Sequence, residues 1–323
     1  MPDDLNTLQR LRDGCRRLKA ELAKVIVGQN EVIDRILVAL LCRGHALMIG
    51  VPGLAKTLIV KSIAQALDLS FRRIQFTPDL MPSDIVGTDV LEEDPATRVR
   101  SFRFIRGPVF ANILLADEIN RTPPKTQAAL LEAMEEHRVT AGGETYTLDE
   151  PFFVLATQNP IEQEGTYPLP EAQLDRFFFM ISIDYPTRGE ERRIVSETTA
   201  NRSARIETVL NAEDIIAVQD VVRRMPVSDD VIAYAVDVAA RTRPMEKDAP
   251  DEVKKYVRWG AGPRAGQCMI LGAKAKAALR EATAASIDDI KAIAHDVLRH
   301  RLVLNFHAES DGVSADAIID ACL

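Results

Sequence analysis

Hydrophobic and polar positions along the first 185 residues follow the pattern of a protein in which short strands alternate with helices. Compact apolar runs predict buried strands, and runs this short are typical of parallel sheets. Apolar residues at helical spacing predict helices around them, and the chain opens with an amphipathic helix through Leu5 and Leu22. The predicted strands cover residues 45–49, 71–76, 113–116, 152–156 and 177–183.

Two segments interrupt this order and predict β-hairpins. The first runs from Thr88 to Phe104 around the charged tip Glu92-Glu93-Asp94-Pro95. The second runs from His137 to Thr147, with Gly142-Gly143 in its middle as the turn. We therefore expect two hairpins that project from the strand-and-helix core.

Beyond Pro186 the pattern changes and predicts helices only. They are expected at roughly 187–199, 212–224, 228–242, 263–283 and 286–302. Strands alternating with helices, followed by a block of helices, indicate an α/β domain that carries a helical one. The expected division is an α/β domain over residues 1–185 and a small all-α domain over residues 186–323.

The charge balance and the cysteines limit the classes of partner and compartment. Lys and Arg total 40 and Asp and Glu total 48, so the net charge is −8 and nucleic acid is an unexpected main partner. The four cysteines are scattered without paired spacing, which argues against disulfides or a zinc site and suits a reducing cytoplasm. The longest apolar run, 36–42, is too short to cross a bilayer. We expect a cytoplasmic protein that does not insert into membranes.

A loop with the chemistry of a phosphate-binding site follows the first predicted strand. Its backbone N–H groups and the start of the next helix would face an anion, Lys56 would reach the outer phosphates, and the Thr57 hydroxyl could ligate Mg²⁺. Ala55 stands where glycine usually precedes the lysine, and alanine is expected to fit there only with φ below zero. The loop and the first residue of its helix read Gly50-Val51-Pro52-Gly53-Leu54-Ala55-Lys56-Thr57-Leu58.

Residues just upstream of this loop could contribute to the same site. Val27 and Gly28 belong to an apolar segment that could cover an adenine ring, although such a segment is also typical of ordinary core packing. The sequence alone leaves both interpretations open.

Two acidic residues follow the predicted strand at 113–116. A carboxylate at the carboxyl end of a strand beside a phosphate loop can hold Mg²⁺ through water, which is the expected role of Asp117. The adjacent Glu118 could polarise an attacking water as a general base. Acidic pairs at strand ends are often only solvated surface charges, but together with the loop they favour a nucleoside triphosphatase.

Four further polar residues are candidates for the same chemistry. Asn159 ends another predicted strand and could align water against the γ-phosphate, or Asn159-Pro160 could simply turn the chain. Arginine is the expected residue for stabilising charge on a transferring phosphoryl group. Arg264 lies in the first turn of a predicted helix, Arg176 precedes the last predicted strand, and Arg121 follows Glu118. Each arginine taken singly is more often a surface ion-pair partner.

Five motifs in this order resemble those of MoxR-type AAA+ ATPases, and the similarity runs from about Val27 to about Arg301. Ala55 is a habit of that family, whereas Gly262 stands where the family often has serine, which weakens the following helix cap. The motifs are Gly50–Thr57, Leu114–Arg121, Ala156–Pro160, Leu169–Phe177 and Gly262–Ala265.

The resemblance implies a role for each matching residue. Lys56 and Thr57 would belong to Walker A, and Asp117 and Glu118 to Walker B. Asn159 would be sensor 1. The resemblance assigns Arg264 to sensor 2 and Arg176 to the finger that reaches a neighbour's nucleotide, with Arg121 as the other candidate for that finger.

The resemblance also implies an architecture and a function. The architecture is an AAA+ P-loop core with a parallel sheet and hairpin insertions, followed by a small all-α lid, with ATP and Mg²⁺ bound between core and lid. The protein would act as a ring, expected to be a hexamer, in chaperone-like remodelling or activation of a partner that often carries a von Willebrand factor A domain. A nucleic-acid motor of the helicase type, a chelatase-like metal-insertion motor and a non-catalytic scaffold are the alternatives.

Overall fold

The structure is a computed structural model that describes residues 2–93, 98, 100–160, 165–199, 205–280 and 282–323. Its strands are β1 (Ala46–Ile49), β2 (Phe71–Gln75), β3 (Gly87–Glu93), β4 (Arg100–Arg106), β5 (Ile113–Asp117), β6 (Arg138–Ala141), β7 (Glu144–Thr147), β8 (Phe153–Gln158), β9 (Phe179–Ser182), β10 (Val257–Trp259) and β11 (Val303–Leu304). Its helices are α1 (Pro2–Leu22), α2 (Asn30–Leu41), α3 (Lys56–Ala66), α4 (Pro82–Val86), α5 (Pro124–Glu136), α6 (Glu171–Leu174), α7 (Arg188–Thr198), α8 (Ala212–Arg224), α9 (Asp229–Arg241), α10 (Asp251–Tyr256), α11 (Pro263–Leu279), α12 (Ile287–Lys291), α13 (Ala294–Leu298), α14 (Phe306–Asp311) and α15 (Ala315–Cys322).

Five parallel strands form the central sheet in the order β2-β5-β8-β1-β9, which confirms the predicted parallel sheet. The middle strands β5 and β8 are buried along almost their whole length, as expected where helices cover both faces of a sheet. Because the strands are parallel, their carboxyl ends all lie on the same side of the sheet, which we call its carboxyl edge. This is where α/β proteins bind ligands. The loop after β1 and the polar residues that end β5 and β8 meet at this edge.

Both predicted hairpins are present. β3 pairs antiparallel with β4, and β6 pairs antiparallel with β7. The tip residues Asp94 and Pro95 of the first hairpin lie outside the described residues. The ring of Phe104 on β4 stacks on Tyr146 on β7 with centroids 4.4 Å apart, so the two hairpins contact each other directly.

The part of the chain after residue 185 is mainly helical, as predicted, but three of its helices, α10, α14 and α15, were not expected. The helix predicted over 286–302 is two short helices, α12 and α13, separated where Ile293 leaves helical geometry. A two-stranded ribbon, β10 with β11, joins residues 257–259 to 303–304. Strands of two and three residues are too short to show an alternating pattern, so the sequence did not predict this ribbon.

The larger apolar cluster extends across the predicted boundary at residue 185. It joins α1, α2 and α3 to the later helices α8, α9 and α11, and it includes fully buried side chains such as Leu18 and Leu22. Helices α8 and α11 pack directly on α1 and α2. The helical part is thus docked on the N-terminal helices, and a division into domains at residue 185 stays a prediction. None of the helices in the described ranges is long and apolar enough to cross a membrane.

The buried side chain of His45 joins the amino ends of the strands to α5. The Val154 N–H donates to His45 Nδ1 at 3.0 Å, so Nε2 carries the proton that the Met134 carbonyl accepts, also at 3.0 Å. Burial lowers the pKa of His45 from its ordinary 6.5 to about 4. The neutral imidazole fits this position, because a second proton on Nδ1 would face the Val154 N–H, which is itself a donor.

We expect this histidine to make the protein less stable in mild acid. Because its pKa is lowered on folding, its stabilising contribution is complete above pH 6.5 and falls as the pH drops towards 4. The free energy of unfolding should lose about 2 kcal/mol between pH 7.5 and pH 5 from His45 alone. Urea unfolding at both pH values should show a smaller acid loss in His45→Gln than in the native protein.

His307→Gln is the control for this measurement, because His307 is exposed on α14. It should leave the acid loss unchanged. Burial also lowers the pKa of His300, so some pH dependence will remain in His45→Gln. A His45→Gln protein that keeps the full acid loss would contradict the assignment.

Candidate nucleotide-binding site

The loop Gly50–Thr57 connects β1 to α3 and folds back on itself. The Lys56 ammonium donates to the Gly50 carbonyl and closes the loop. Ala55 has a φ of 55°, in the left-handed region, so the expectation of a φ below zero is wrong. The turn into α3 requires this conformation, and alanine adopts it at a cost of about 1 kcal/mol, because its Cβ crowds the backbone. Backbone strain of this kind is typical of functional loops.

The ammonium of Lys56 lies among acidic groups. Burial lowers the pKa of Lys56, and the carboxylates of Asp117 and Glu118 act in the opposite direction. The two carboxylates belong to the end of β5, two strands away from β1 in the sheet. The structure therefore brings together the lysine and the acidic pair that the sequence proposed for one site.

Thr157 on β8 holds both acidic residues from the neighbouring strand. Its Oγ1 donates to Asp117 Oδ1 at 2.6 Å and accepts the Glu118 N–H at 2.9 Å. The other oxygen, Asp117 Oδ2, accepts from Arg73 Nη2 at 2.6 Å. Both carboxylate oxygens of Asp117 are thus fixed in direction.

The carboxylate of Glu118 is held by two donors. Gln75 Nε2 donates to Glu118 Oε2 at 2.7 Å, and Arg121 Nη1 donates to the same oxygen at 2.9 Å. The backbone of Glu118 has a φ of 58°, an uncommon conformation for a residue with a side chain. The chain leaves β5 sharply at this point, and the side chain points to where Gln75 and Arg121 reach it.

Three of these residues were missed by the sequence interpretation. Arg73 and Gln75 lie two apart on β2, so they share a face at the carboxyl end of the strand. Their importance follows from β2 being the neighbour of β5, which the sequence pattern does not give. Thr157 directly follows the predicted strand 152–156, but no role was assigned to it.

Asn159 lies at the same edge of the sheet. The register of β1 and β8 ends with Ile49 opposite Gln158, so the next residues, Gly50 and Asn159, leave the sheet side by side. The side chain of Asn159 is buried. The structure therefore places Asn159 beside the start of the loop.

Thr57 and Asp117 provide a donor set that suits Mg²⁺. The hydroxyl of Thr57, in the first turn of α3, and the carboxylate of Asp117 are hard oxygen donors. Asp117 Oδ1, which accepts from Thr157, keeps a second lone pair, whereas Oδ2 accepts from both Nε and Nη2 of Arg73. Among the described residues, no group of three or more His, Cys, Asp or Glu could hold a metal ion. Mg²⁺ is commonly held by one or two protein oxygens together with nucleotide phosphates, and these residues fit that mode.

A cleft of about 660 Å³ opens beside the loop. This volume is in the usual range for small-molecule sites. The walls are largely apolar and come from the segment before α2, from the loop and the start of α3, and from α7 with Pro186, two residues before it. They include Val25, Ile26, Val27, Leu54, Leu58, Pro186 and Ile194.

Gly28 lies between Val27 and Gln29, which both line this cleft. Its φ is 71°, and a side chain there would clash with the Glu190 carboxylate on α7. Glycine suits this position because the backbone turns and α7 approaches closely. A contact between Gly28 and the nucleotide stays a prediction.

Arg176 and Arg264 lie at the opposite edge of the sheet, where the strands have their amino ends. Both line a cavity of about 250 Å³ together with Gly44 and His45, which precede β1. Gly50 follows His45 by five steps of extended chain, a span of about 16 Å. We call the two arginines and this cavity the arginine face. Arg176 pairs with Glu135 at 2.9 Å, and Arg264 is exposed.

Within one chain, Arg264 lines the arginine face and not the cleft beside the loop. The expected position of the nucleotide between core and lid stays a prediction. Helix α11 packs on α2 and α9, which keeps Arg264 away from the loop. The part of the chain after residue 185 contributes Pro186 and α7 to the cleft instead. Arg121, by contrast, lies inside the site and contacts Glu118.

Known proteins resemble this chain over nearly its whole length. The model of the "ATPase family associated with various cellular activities (AAA)" matches residues 45–179, and that of the "AAA lid domain" matches residues 249–322. Chaperone MoxR1 of Mycobacterium tuberculosis is 43% identical over 303 residues, which cover 94% of this chain and 79% of that protein. YeaC of Bacillus subtilis is 41% identical over 297 residues, with 92% and 89% covered. The crystal structure of a Cytophaga hutchinsonii protein assigned as an ATPase matches with a TM-score of 0.92 at 40% identity, covering 99% of this chain and 96% of that one.

Proposed function

This chain belongs to the MoxR family of AAA+ ATPases, and from its site we propose that it hydrolyses ATP at a site completed by a second copy of itself. One observation carries the proposal. Lys56, Asp117, Glu118 and Asn159 meet at the carboxyl edge of the sheet, whereas Arg176 and Arg264 lie at the other edge. Each copy thus carries the binding half of one site and the arginines for another.

The chain's own residues would divide the work of hydrolysis as follows. Lys56 and the N–H groups of the loop bind the phosphates, and the apolar cleft holds the base. Glu118 takes the proton of the attacking water, and Asn159 orients that water. Gln75 and Arg121 fix the direction of the Glu118 carboxylate, so that it keeps its aim as the water attacks.

Mg²⁺ would be held by Thr57 and Asp117. When bound, it neutralises charge on the phosphates and polarises the phosphoryl oxygens. Thr157 and Arg73 keep the Asp117 carboxylate in place.

The arginine face would complete the site of the next copy. Arg176 and Arg264 would stabilise the charge that spreads over the phosphoryl oxygens in the transition state. The contact between Arg121 and Glu118 within one chain supports Arg176 over Arg121 as the arginine that acts between copies. Such head-to-tail contacts close into rings, and the expected hexamer stays a prediction.

We propose a protein as the client of this ATPase. The name of the Mycobacterium tuberculosis relative describes a chaperone, and family resemblance predicts a partner with a von Willebrand factor A domain. Exposed apolar side chains on the first hairpin, where Leu91 lies opposite Phe102, offer a surface for an unfolded segment. The cytoplasmic location stays a prediction from the cysteine pattern.

Replacement of Lys56 tests nucleotide binding at this loop. Lys56→Ala should weaken the binding of ATP about 100-fold or more, because it removes the only cation that the loop directs at the phosphates and opens the contact with Gly50. Titration with a fluorescent ATP analogue measures the affinity. Lys61→Ala, at an exposed position on the same helix, is the matched control and should change it less than about twofold. Unchanged affinity in a folded Lys56→Ala protein would refute the proposal.

A further inference from the structure

The only tryptophan of the sequence lies exposed next to the arginine face. Trp259 is 66% exposed and lines a groove of about 460 Å³ between α6 and the ribbon of β10 and β11. This groove adjoins the cavity of the arginine face, because Arg301 lines both. A large aromatic side chain beside a groove has the character of an interface anchor, provided that a partner reaches it.

The backbone fixes Trp259 relative to Arg264. Trp259 lies opposite Val303 in the ribbon, and four residues separate it from Arg264 at the start of α11. The connecting segment is tied down: the Ala261 N–H donates to Thr242 Oγ1 at 2.9 Å, and Arg243 Nε donates to the Ala261 carbonyl at 3.0 Å. Any surface that Arg264 approaches is therefore also approached by Trp259.

The base of the ribbon is rigid as well. Arg301 Nε pairs with Asp175 at 2.7 Å, and its Nη2 donates to the Phe177 carbonyl at 2.8 Å. These contacts anchor the ribbon to the residues on both sides of Arg176. Trp259, Arg176 and Arg264 thus form one rigid surface, which reduces the loss of side-chain entropy on binding.

The nucleotide cleft has a matching apolar rim. Leu58 lines the cleft, Tyr185 precedes the lining residue Pro186, and Val195 follows the lining residue Ile194. All three side chains are exposed in a single chain. The charges also match, because the arginine face is cationic and the site beside this rim carries Asp117, Glu118 and the phosphates of a bound nucleotide.

We propose that Trp259 anchors the contact between two copies of this chain, by packing on the rim of Leu58, Tyr185 and Val195 in the next copy. The proposal rests on the proposed function, in which the arginine face of one copy completes the site of another. It assigns to Trp259, a residue that takes no part in hydrolysis, the role of setting the strength of assembly. It also links assembly to nucleotide binding, because the rim borders the cleft.

The fluorescence of the native protein tests this without any substitution. Since Trp259 is the sole tryptophan, its emission reports on this position alone. On assembly in the presence of ADP or a non-hydrolysable ATP analogue, the emission should shift to shorter wavelength. The acrylamide quenching constant should fall at least about twofold as the exposed ring becomes buried. An assembled protein whose tryptophan is quenched as strongly as in the monomer would overturn the proposal.

Substitution gives the second test. In sedimentation velocity, Trp259→Ala should raise the protein concentration at half assembly about tenfold or more, and Trp259→Phe should raise it less. Phe306→Ala is the matched control: Phe306 is 77% exposed beyond the other end of the same ribbon, and its loss should change the midpoint less than about twofold. Assembly of Trp259→Ala at the native midpoint would refute the anchor.

The two proposals fail in different ways. If Arg176→Ala loses turnover but the tryptophan signal does not change on assembly, only the anchor is wrong. If the tryptophan becomes buried but Arg176→Ala hydrolyses ATP normally, the role proposed for Arg176 is wrong and the interface stands. A chain that remains monomeric at every concentration with and without nucleotide overturns both.

Discussion

Glu118→Gln is expected to bind ATP with nearly native affinity and to release phosphate about 10²–10⁴-fold more slowly. The amide keeps the size of the side chain and an oxygen that can accept from Gln75, but it cannot take a proton from water. Binding should be preserved because Glu118 is an acceptor held by Gln75 and Arg121, and neither contact is part of the loop at 50–57. Removal of one negative charge near Lys56 should, if anything, favour the anionic nucleotide.

Steady-state phosphate release and the nucleotide that co-purifies with the protein measure this effect. Glu118→Gln protein incubated with ATP should retain ATP, whereas the native protein should retain ADP. Glu136→Gln is the control, because Glu136 pairs with Arg138 on the surface and takes no part in the site. Native turnover in Glu118→Gln would show that another group is the base.

Arg176→Ala is expected to lower turnover about 10³-fold, the scale of loss typical of an arginine that stabilises a transferring phosphoryl group. Nucleotide affinity in the isolated chain should not change, because Arg176 lies at the edge of the sheet opposite the loop. Stability should also change little, since the ion pair lost with Glu135 is partly exposed. Arg264→Ala should behave in the same way.

The combination of a large loss of turnover with unchanged binding is specific to this placement. Phosphate release, nucleotide titration and thermal unfolding separate the three effects. Arg138→Ala is the control. It removes an exposed arginine that pairs with Glu136, the neighbour of Glu135 at the end of α5, and it should change neither turnover, nucleotide affinity nor stability. If Arg176→Ala were as active as the native protein, Arg121 would become the candidate for the trans-acting residue.

Features that depend on short stretches of sequence were predictable. Four of the five sheet strands, β1, β5, β8 and β9, contain a compact apolar run that the sequence pattern identifies. The turn at Gly142-Gly143 and the alternation around 88–104 identified both hairpins. Asp117 and Asn159 stand at or just after strand ends, and Lys56 follows the loop that leaves β1, so parallel strands bring all three to one edge.

Features that depend on which elements become neighbours were not predictable. Arg73 and Gln75 gain their role because β2 lies beside β5. Arg264 is kept away from the loop because α11 packs on α2 through long-range apolar contacts. The sequence around Arg264, with Pro263 at a helix start, looks the same whether that helix faces its own nucleotide or another chain's.

The conformation of Ala55 belongs to a third group of features, in which the folded structure overrides a local preference of the residue. A local rule disfavours a left-handed alanine by about 1 kcal/mol, and the loop overrides it because the chain must turn before Lys56. A preference of this size is small compared with the packing of β1 and α3 around the loop. Local rules of this magnitude fail at functional loops, where strain is commonly found.

The central claim is that two copies share one site, and mixing two inactive variants tests it most directly. Glu118→Gln and Arg176→Ala proteins, each nearly inactive alone, should regain ATP hydrolysis when mixed. At equal amounts, about one contact in four pairs an intact Glu118 with an intact Arg176, so activity should recover towards a quarter of the native value. Mixed assemblies that are demonstrated by mass spectrometry, yet hydrolyse ATP no faster than either variant alone, would contradict the claim.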